Sequence, residues 1–207
     1  MDLSVWFALM ALFFAGGLTP GPAVMMVMSA SLRYGAPTAL IPAAGVSAAN
    51  LVWIALAATG IAAFAAQAPL VLLVLKLAGI CFIAWLAWTM ATADPHRSRA
   101  RADQAPAKSN LFGRGVGLQL LNPNALVFFG LLLPSYFDAD RPVVPQALLI
   151  MATVTVTEMF GLTFYAGLAD AMNRKFQSPA FTQWFNRLAA LAMLVSALFA
   201  AIMTTNT

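Results

Sequence analysis

Six stretches of this sequence, residues 3–28, 38–66, 69–92, 113–137, 143–170 and 181–203, are apolar almost throughout. Runs of ~20 such residues are long enough to cross the ~30 Å hydrocarbon layer of a bilayer as helices. Inside that layer no water is present to satisfy backbone amides and carbonyls, so only helices and closed barrels can span it. The runs do not alternate residue by residue, as barrel strands of ~10 residues would. With 62% hydrophobic and 9% charged residues, too little polar surface is left for a soluble domain. The expectation is an all-α, multi-pass integral membrane protein with six transmembrane helices. Asp2 is the only charge before the first run; with no Lys or Arg there, and a run longer than a signal core, a cleaved signal peptide is not expected. Cys81 is the single cysteine, which excludes an internal disulfide and dithiol redox chemistry within one chain.

Nine of the eleven lysines and arginines (Arg33, Arg97, Arg99, Arg101, Lys108, Arg114, Arg174, Lys175 and Arg187) fall in or beside the connections after the first, third and fifth runs. Six spans put those connections on one side, and basic residues concentrate on the cytoplasmic side of membrane proteins. Both termini are therefore expected outside the cytoplasm. The net charge of +4 thus reflects topology and attraction to anionic lipid rather than nucleic acid, for which the basic tract lacks interleaved aromatics. Trp6 is expected near the outer membrane surface, and Trp85, Trp88 and Trp184 near the inner one.

The tract 93–112 is the one sizeable hydrophilic connection, and it holds the sole histidine, His96. It reads as a basic cytoplasmic linker between a first three-helix half, 1–92, and a second, 113–207. An odd number of spans per half inserts the halves from opposite sides, the arithmetic of an inverted repeat. Each half opens with a proline-interrupted helix: "LTPGP" at Leu18–Pro22 and "LLNPNA" at Leu120–Ala125. A proline removes the hydrogen bond to the carbonyl four residues back. Pro20 frees Gly16, Pro22 frees Leu18 and Pro123 frees Gln119. Thr19-Pro20 and Asn122-Pro123 also resemble helix starts, a capping side chain before a first-turn proline. Amides near Ala23, Val24, Ala125 and Leu126 would then point inward. Amides suit a carboxylate and freed carbonyls suit an ammonium; an amino acid carries both. The candidate substrate-binding residues at the breaks are Thr19, Pro20, Gly21, Pro22, Asn122 and Pro123.

Glu158 lies near the middle of the fifth run, where an ionisable group is costly and marks function by default. Thr155, Glu158, Gly161 and Tyr165 share one helix face by their spacing. Glu158 and Tyr165 join the substrate-binding set, and Glu158 is also the proton-coupling candidate. Asn50, deep in the second run with Ser47 one turn away, is either a substrate contact or interhelical glue. Lys76 either snorkels to the surface or pairs with Glu158. Met25, Met26 and Met28 are expected against lipid, and Gly113 and Gly117 form a GxxxG, a weak sign of close helix contact.

Together these residues resemble the LysE/RhtB family of bacterial amino-acid exporters. The resemblance rests on "TPGP" at Thr19–Pro22, "LKLAG" at Leu75–Gly79 and "GLQLLNPNALVFFGLLLPSYF" at Gly117–Phe137, in that order along the chain. It implies efflux of amino acids or their derivatives from the cytoplasm, driven by the proton gradient, across the bacterial inner membrane. The expectation is a secondary transporter, not an enzyme, with an amino acid and the lipid bilayer as partners and no cofactor. The alternative is a divalent metal cation exporter, for which the runs offer only Glu158 and Cys81 as ligands; no metal site is expected. A homo-oligomer is compatible with the sequence without being required by it.

Overall fold

The structure is a computed structural model and describes residues 1–60, 68–92, 106–122, 125, 128–138, 140–176 and 178–203. Among the described residues all regular structure is helical. The helices are α1 (Leu3–Leu18), α2 (Pro22–Tyr34), α3 (Ala36–Ala58), α4 (Pro69–Ala91), α5 (Lys108–Leu120), α6 (Val143–Phe176) and α7 (Pro179–Met203), with a π-helical turn at Phe128–Leu132 and a 3-10 turn at Leu133–Tyr136. Helices α3 and α6 are each long and apolar enough to cross a membrane. So is the pair α1 and α2 taken together, bent by 49° at its break. The hydrophilic linker ends sooner than the sequence suggests: Lys108 to Phe112, expected in it, form the first turns of α5.

Helix α2 sits at the centre. Val24 and every residue from Met26 to Leu32 are buried, including Ser29 and Ser31. A helix covered on all faces must satisfy its own polar side chains. Ser31 Oγ donates to the Ala166 carbonyl at 2.6 Å, and Ser29 Oγ to Asn186 Oδ1 at 2.8 Å. Met26 and Met28 therefore pack in the core and not against lipid, with Met25 half-buried beside them. Unbranched thioethers fill the irregular gaps around such a helix. Lipid-facing surface falls elsewhere, as on α6, where Val156, Phe160 and Phe164 are exposed.

Lipid removes the hydrophobic reason for helices to associate, so close approach must supply the attraction. Two crossings do this. A Cβ on Gly115 of α5 would collide with the Pro42 carbonyl of α3, and one on Gly45 with the Phe112 carbonyl. On the other side, a Cβ on Gly161 of α6 would collide with the Gly17 carbonyl of α1. The GxxxG expectation is thus corrected: Gly113 meets nothing and Gly117 faces the Phe82 ring, while Gly115 between them makes the crossing. Pro42 lies inside α3 without breaking it.

At one end of the bundle Arg141 binds Asp2 at 2.7 Å and Asp138 at 2.9 Å, and the amino terminus lies 3.7 Å from Asp138. The exposed Arg141–Asp2 pair contributes little energy, but together these contacts place the amino terminus beside the turn that precedes α6. Trp6 Nε1 donates to Thr153 Oγ1 at 2.9 Å, so α1 and α6 run side by side in the same direction. Trp85, Trp88 and Trp184 are exposed, as interfacial anchors would be.

Candidate functional site

The first break spans Thr19 to Gly21. Thr19 closes α1 in an extended conformation, its amide donating to the Gly16 carbonyl at 3.1 Å and its hydroxyl to the Ala15 carbonyl at 2.8 Å. It does not start α2. Gly21 holds that position, Pro22 is the first helical residue, and no side chain caps them. A threonine hydroxyl that bonds back into the preceding turn is no longer available to the next helix. The Gly16 carbonyl expected to be free is thus filled locally by a tightened turn.

The Leu18 carbonyl, released by Pro22, accepts a hydrogen bond from Tyr165 Oη at 2.7 Å. At the second break the Gln119 carbonyl, in line with Pro123, accepts one from Trp53 Nε1 at 3.2 Å and one from the Asn122 amide at 3.3 Å. The Leu18 and Gln119 carbonyls are thus each served by an aromatic donor on a different helix. Pro123, Asn124 and Leu126 lie outside the described residues. The Ala125 amide, expected to point at a ligand, donates to the Asn122 carbonyl at 3.0 Å.

Between the breaks lies a cavity of about 380 Å3. Its polar wall is a continuous run of side chains from three helices and the second break. Asn50 Nδ2 of α3 donates to Glu158 Oε2 of α6 at 2.8 Å. Gln119 Nε2 of α5 donates to Asn50 Oδ1 at 2.6 Å. Asn122 Nδ2 lies 3.5 Å from Gln119 Oε1. Asn50 is buried and the other three are half-buried. One face of Asn50 is fixed as donor by the carboxylate and the other as acceptor by Gln119, which sets the direction of every bond in the chain. The opposite wall is apolar and aromatic: Leu12, Phe13, Phe128 and Phe129.

Gly16 and Gly17 complete the lining. Having no side chains, they present the backbone at the carboxyl-terminal end of α1, where the helix dipole is negative. The amide end of α2, at Ala23 and Val24, is not part of the wall. Of the two polarities expected at the first break, the cavity meets the carboxyl-terminal end of α1 and not the amide end of α2. Glu158 and that helix end both favour a cation, while the amide groups of Asn50, Gln119 and Asn122 supply N–H donors.

Of the residues singled out in the sequence, the fold gathers Asn50, Asn122 and Glu158 around the cavity. Thr19, Pro20, Gly21, Pro22 and Tyr165 lie off it, Tyr165 supporting the break through Leu18. Glu158, Gly161 and Tyr165 do share the α6 face that meets α1, whereas Thr155 does not line the cavity. The Lys76 side chain lies outside the described residues, so its pairing with Glu158 does too. Gln119 was missed as a side chain. A polar residue within a transmembrane run was the available signal, overshadowed by its own backbone carbonyl. Among the described residues no three His, Cys, Asp or Glu side chains converge.

The LysE type translocator family matches residues 5–204. The chain is 28% identical over 205 residues to the homoserine/homoserine lactone efflux protein of Salmonella typhimurium, covering 97% of this chain and 98% of that one. It is 26% identical over 152 residues to the leucine efflux protein of an Enterobacter species, covering 73% and 72% respectively. An uncharacterized membrane protein of Vibrio cholerae is 26% identical over 188 residues, covering 91% and 92%. No solved structure matches the chain. A membrane chain with two proline breaks around a polar cavity, matched by the family model over nearly its whole length, belongs to the LysE type translocator family.

Proposed function

We propose that the protein is a secondary transporter that exports amino acids or their derivatives from the cytoplasm, with Glu158 binding the substrate ammonium or carrying an exchanged proton. The observation that carries this reading is the Glu158–Asn50–Gln119 chain in a cavity between two helix breaks. A carboxylate and the carbonyl end of α1 suit an ammonium; side-chain amides suit a carboxylate. The aromatic wall opposite leaves room for an uncharged side chain. A single carboxylate among amides is a poor set for a divalent metal, which favours several hard or borderline ligands.

The same reading has six spans in two inverted three-helix halves, joined by the basic linker, in the inner membrane with both termini outside. Two pairs of parallel contacts support it: α1 crosses α6 at Gly17 and Gly161, and α5 crosses α3 at Gly115 and Pro42. Equivalent pairs are what a two-fold axis in the membrane plane would generate. Counter-flow of labelled homoserine and leucine into vesicles holding the pure protein tests the function. Wild-type exchange and wild-type proton-driven accumulation by Glu158→Gln would overturn the role of Glu158; exchange of neither substrate class would overturn the export reading.

A further inference from the structure

A second hollow, of about 40 Å3, lies at the other end of α2 among α2, α3, α4 and α5. Arg33 and Arg114 line it together with Tyr34 and Thr89. Arg33 Nη2 donates to the Met90 carbonyl at 3.3 Å, while its Nε is buried with no hydrogen-bond partner. Arg114 holds its guanidinium 5.3 Å from the centre of the Trp85 ring and acts electrostatically on Arg33, whose side chain also hydrogen-bonds Tyr34. Among the described residues neither arginine is ion-paired with a carboxylate. Two like charges and an orphan N–H around one small hollow form an arrangement that an anion would relieve.

The size of the hollow narrows the anion. A single water needs ~10–15 Å3, so about 40 Å3 admits one oxyanion group and not a whole amino acid with its side chain. Planar guanidinium forks match phosphate oxygens in pairs. The surroundings narrow the source. Trp85 and Trp88 on α4 are 47% and 70% exposed, and aromatic rings so placed sit at the level of lipid head groups. Basic pockets between helices near a membrane surface recognise such head groups. We propose that Arg33 and Arg114 bind the phosphate group of an anionic phospholipid where α2, α4 and α5 meet.

Thermal unfolding of the full chain in detergent, titrated with dioleoyl phosphatidylglycerol or dioleoyl phosphatidylcholine, tests this. Inorganic phosphate and glycerol phosphate serve as arms without acyl chains. Phosphatidylglycerol should stabilise the protein and phosphatidylcholine should not. Arg33→Gln and Arg114→Gln should each weaken the apparent affinity about fivefold. Arg33→Lys should weaken it less than Arg33→Gln, and this charge-keeping variant carries the test if the neutral ones do not fold. Equal responses to the two lipids, or an unchanged phosphatidylglycerol affinity in Arg33→Lys and Arg114→Gln alike, would overturn the site. Stabilisation by inorganic phosphate equal to that by phosphatidylglycerol would overturn the lipid assignment in favour of a soluble anion.

Discussion

The two helix breaks differ in their proline motifs, Thr-Pro-Gly-Pro against Asn-Pro, and agree in how the Leu18 and Gln119 carbonyls are tied. At the first, prolines two positions apart confine the interruption to Thr19–Gly21, and helix resumes at once with a 49° bend. At the second, α5 ends at Leu120, Ala125 is again helical, and a π-helical turn spans Phe128–Leu132. Yet Tyr165 reaches from α6 to Leu18 just as Trp53 reaches from α3 to Gln119. Pro42 is the contrasting case: a proline inside an unbroken α3, with its carbonyl pressed against Gly115. A proline alone does not decide between kink and break. In hydrocarbon a released carbonyl needs a donor, and at Leu18 and Gln119 a neighbouring helix supplies one.

The comparison breaks most readily at the crossings that hold each break in place. Gly161→Leu and Gly115→Leu should each abolish accumulation of folded protein, a loss of about 3 kcal/mol or more, because backbone and not a movable side chain blocks the new atoms. Detergent-extracted yield and monodispersity measure this, and a tolerated leucine at only one site would show that the crossings are not equivalent. Next in size is Glu158→Gln, expected to fold while slowing proton-driven export by about a hundredfold, the scale on which positioned proton-transfer groups act.

Smaller effects sharpen the likeness. Tyr165→Phe strands the Leu18 carbonyl, costing about 1–3 kcal/mol if nothing replaces the donor, and Trp53→Phe leaves the Gln119 carbonyl to the Asn122 amide. Their unfolding midpoints should fall together, and a silent Trp53→Phe would mean that the Asn122 amide alone satisfies Gln119. The smallest change belongs to Thr19→Ala. Its hydroxyl only bonds back to Ala15, so the loss should stay below about 0.5 kcal/mol, whereas a true helix cap would be worth about 1. A loss of that larger size would restore Thr19 as the start of α2.

Much of this was legible residue by residue. The apolar runs fixed the helical class, the prolines marked both breaks, and a carboxylate at Glu158 marked the cavity wall before any helix was placed. The polarity of the first break was not legible. "LTPGP" can be read as the end of one helix or the start of the next, and the choice turned on where the Thr19 hydroxyl found its acceptor. The glycine at the α3–α5 crossing was also hidden, since Gly113, Gly115 and Gly117 are equivalent on paper and only the rotation of α5 selects Gly115.

What the sequence determined by itself, then, was local: where a chain in hydrocarbon must be helical, where proline denies it a hydrogen bond, and which ionisable group lies deep in an apolar run. The tertiary structure decided every partner across a distance: Tyr165 for Leu18, Trp53 for Gln119, and Gln119 and Asn50 as the bridge to Glu158. The physical reason is that backbone propensity and burial depend on neighbours in the chain. A hydrogen bond between helices depends on their rotation and rise, and these are set by which backbones approach closely enough to touch.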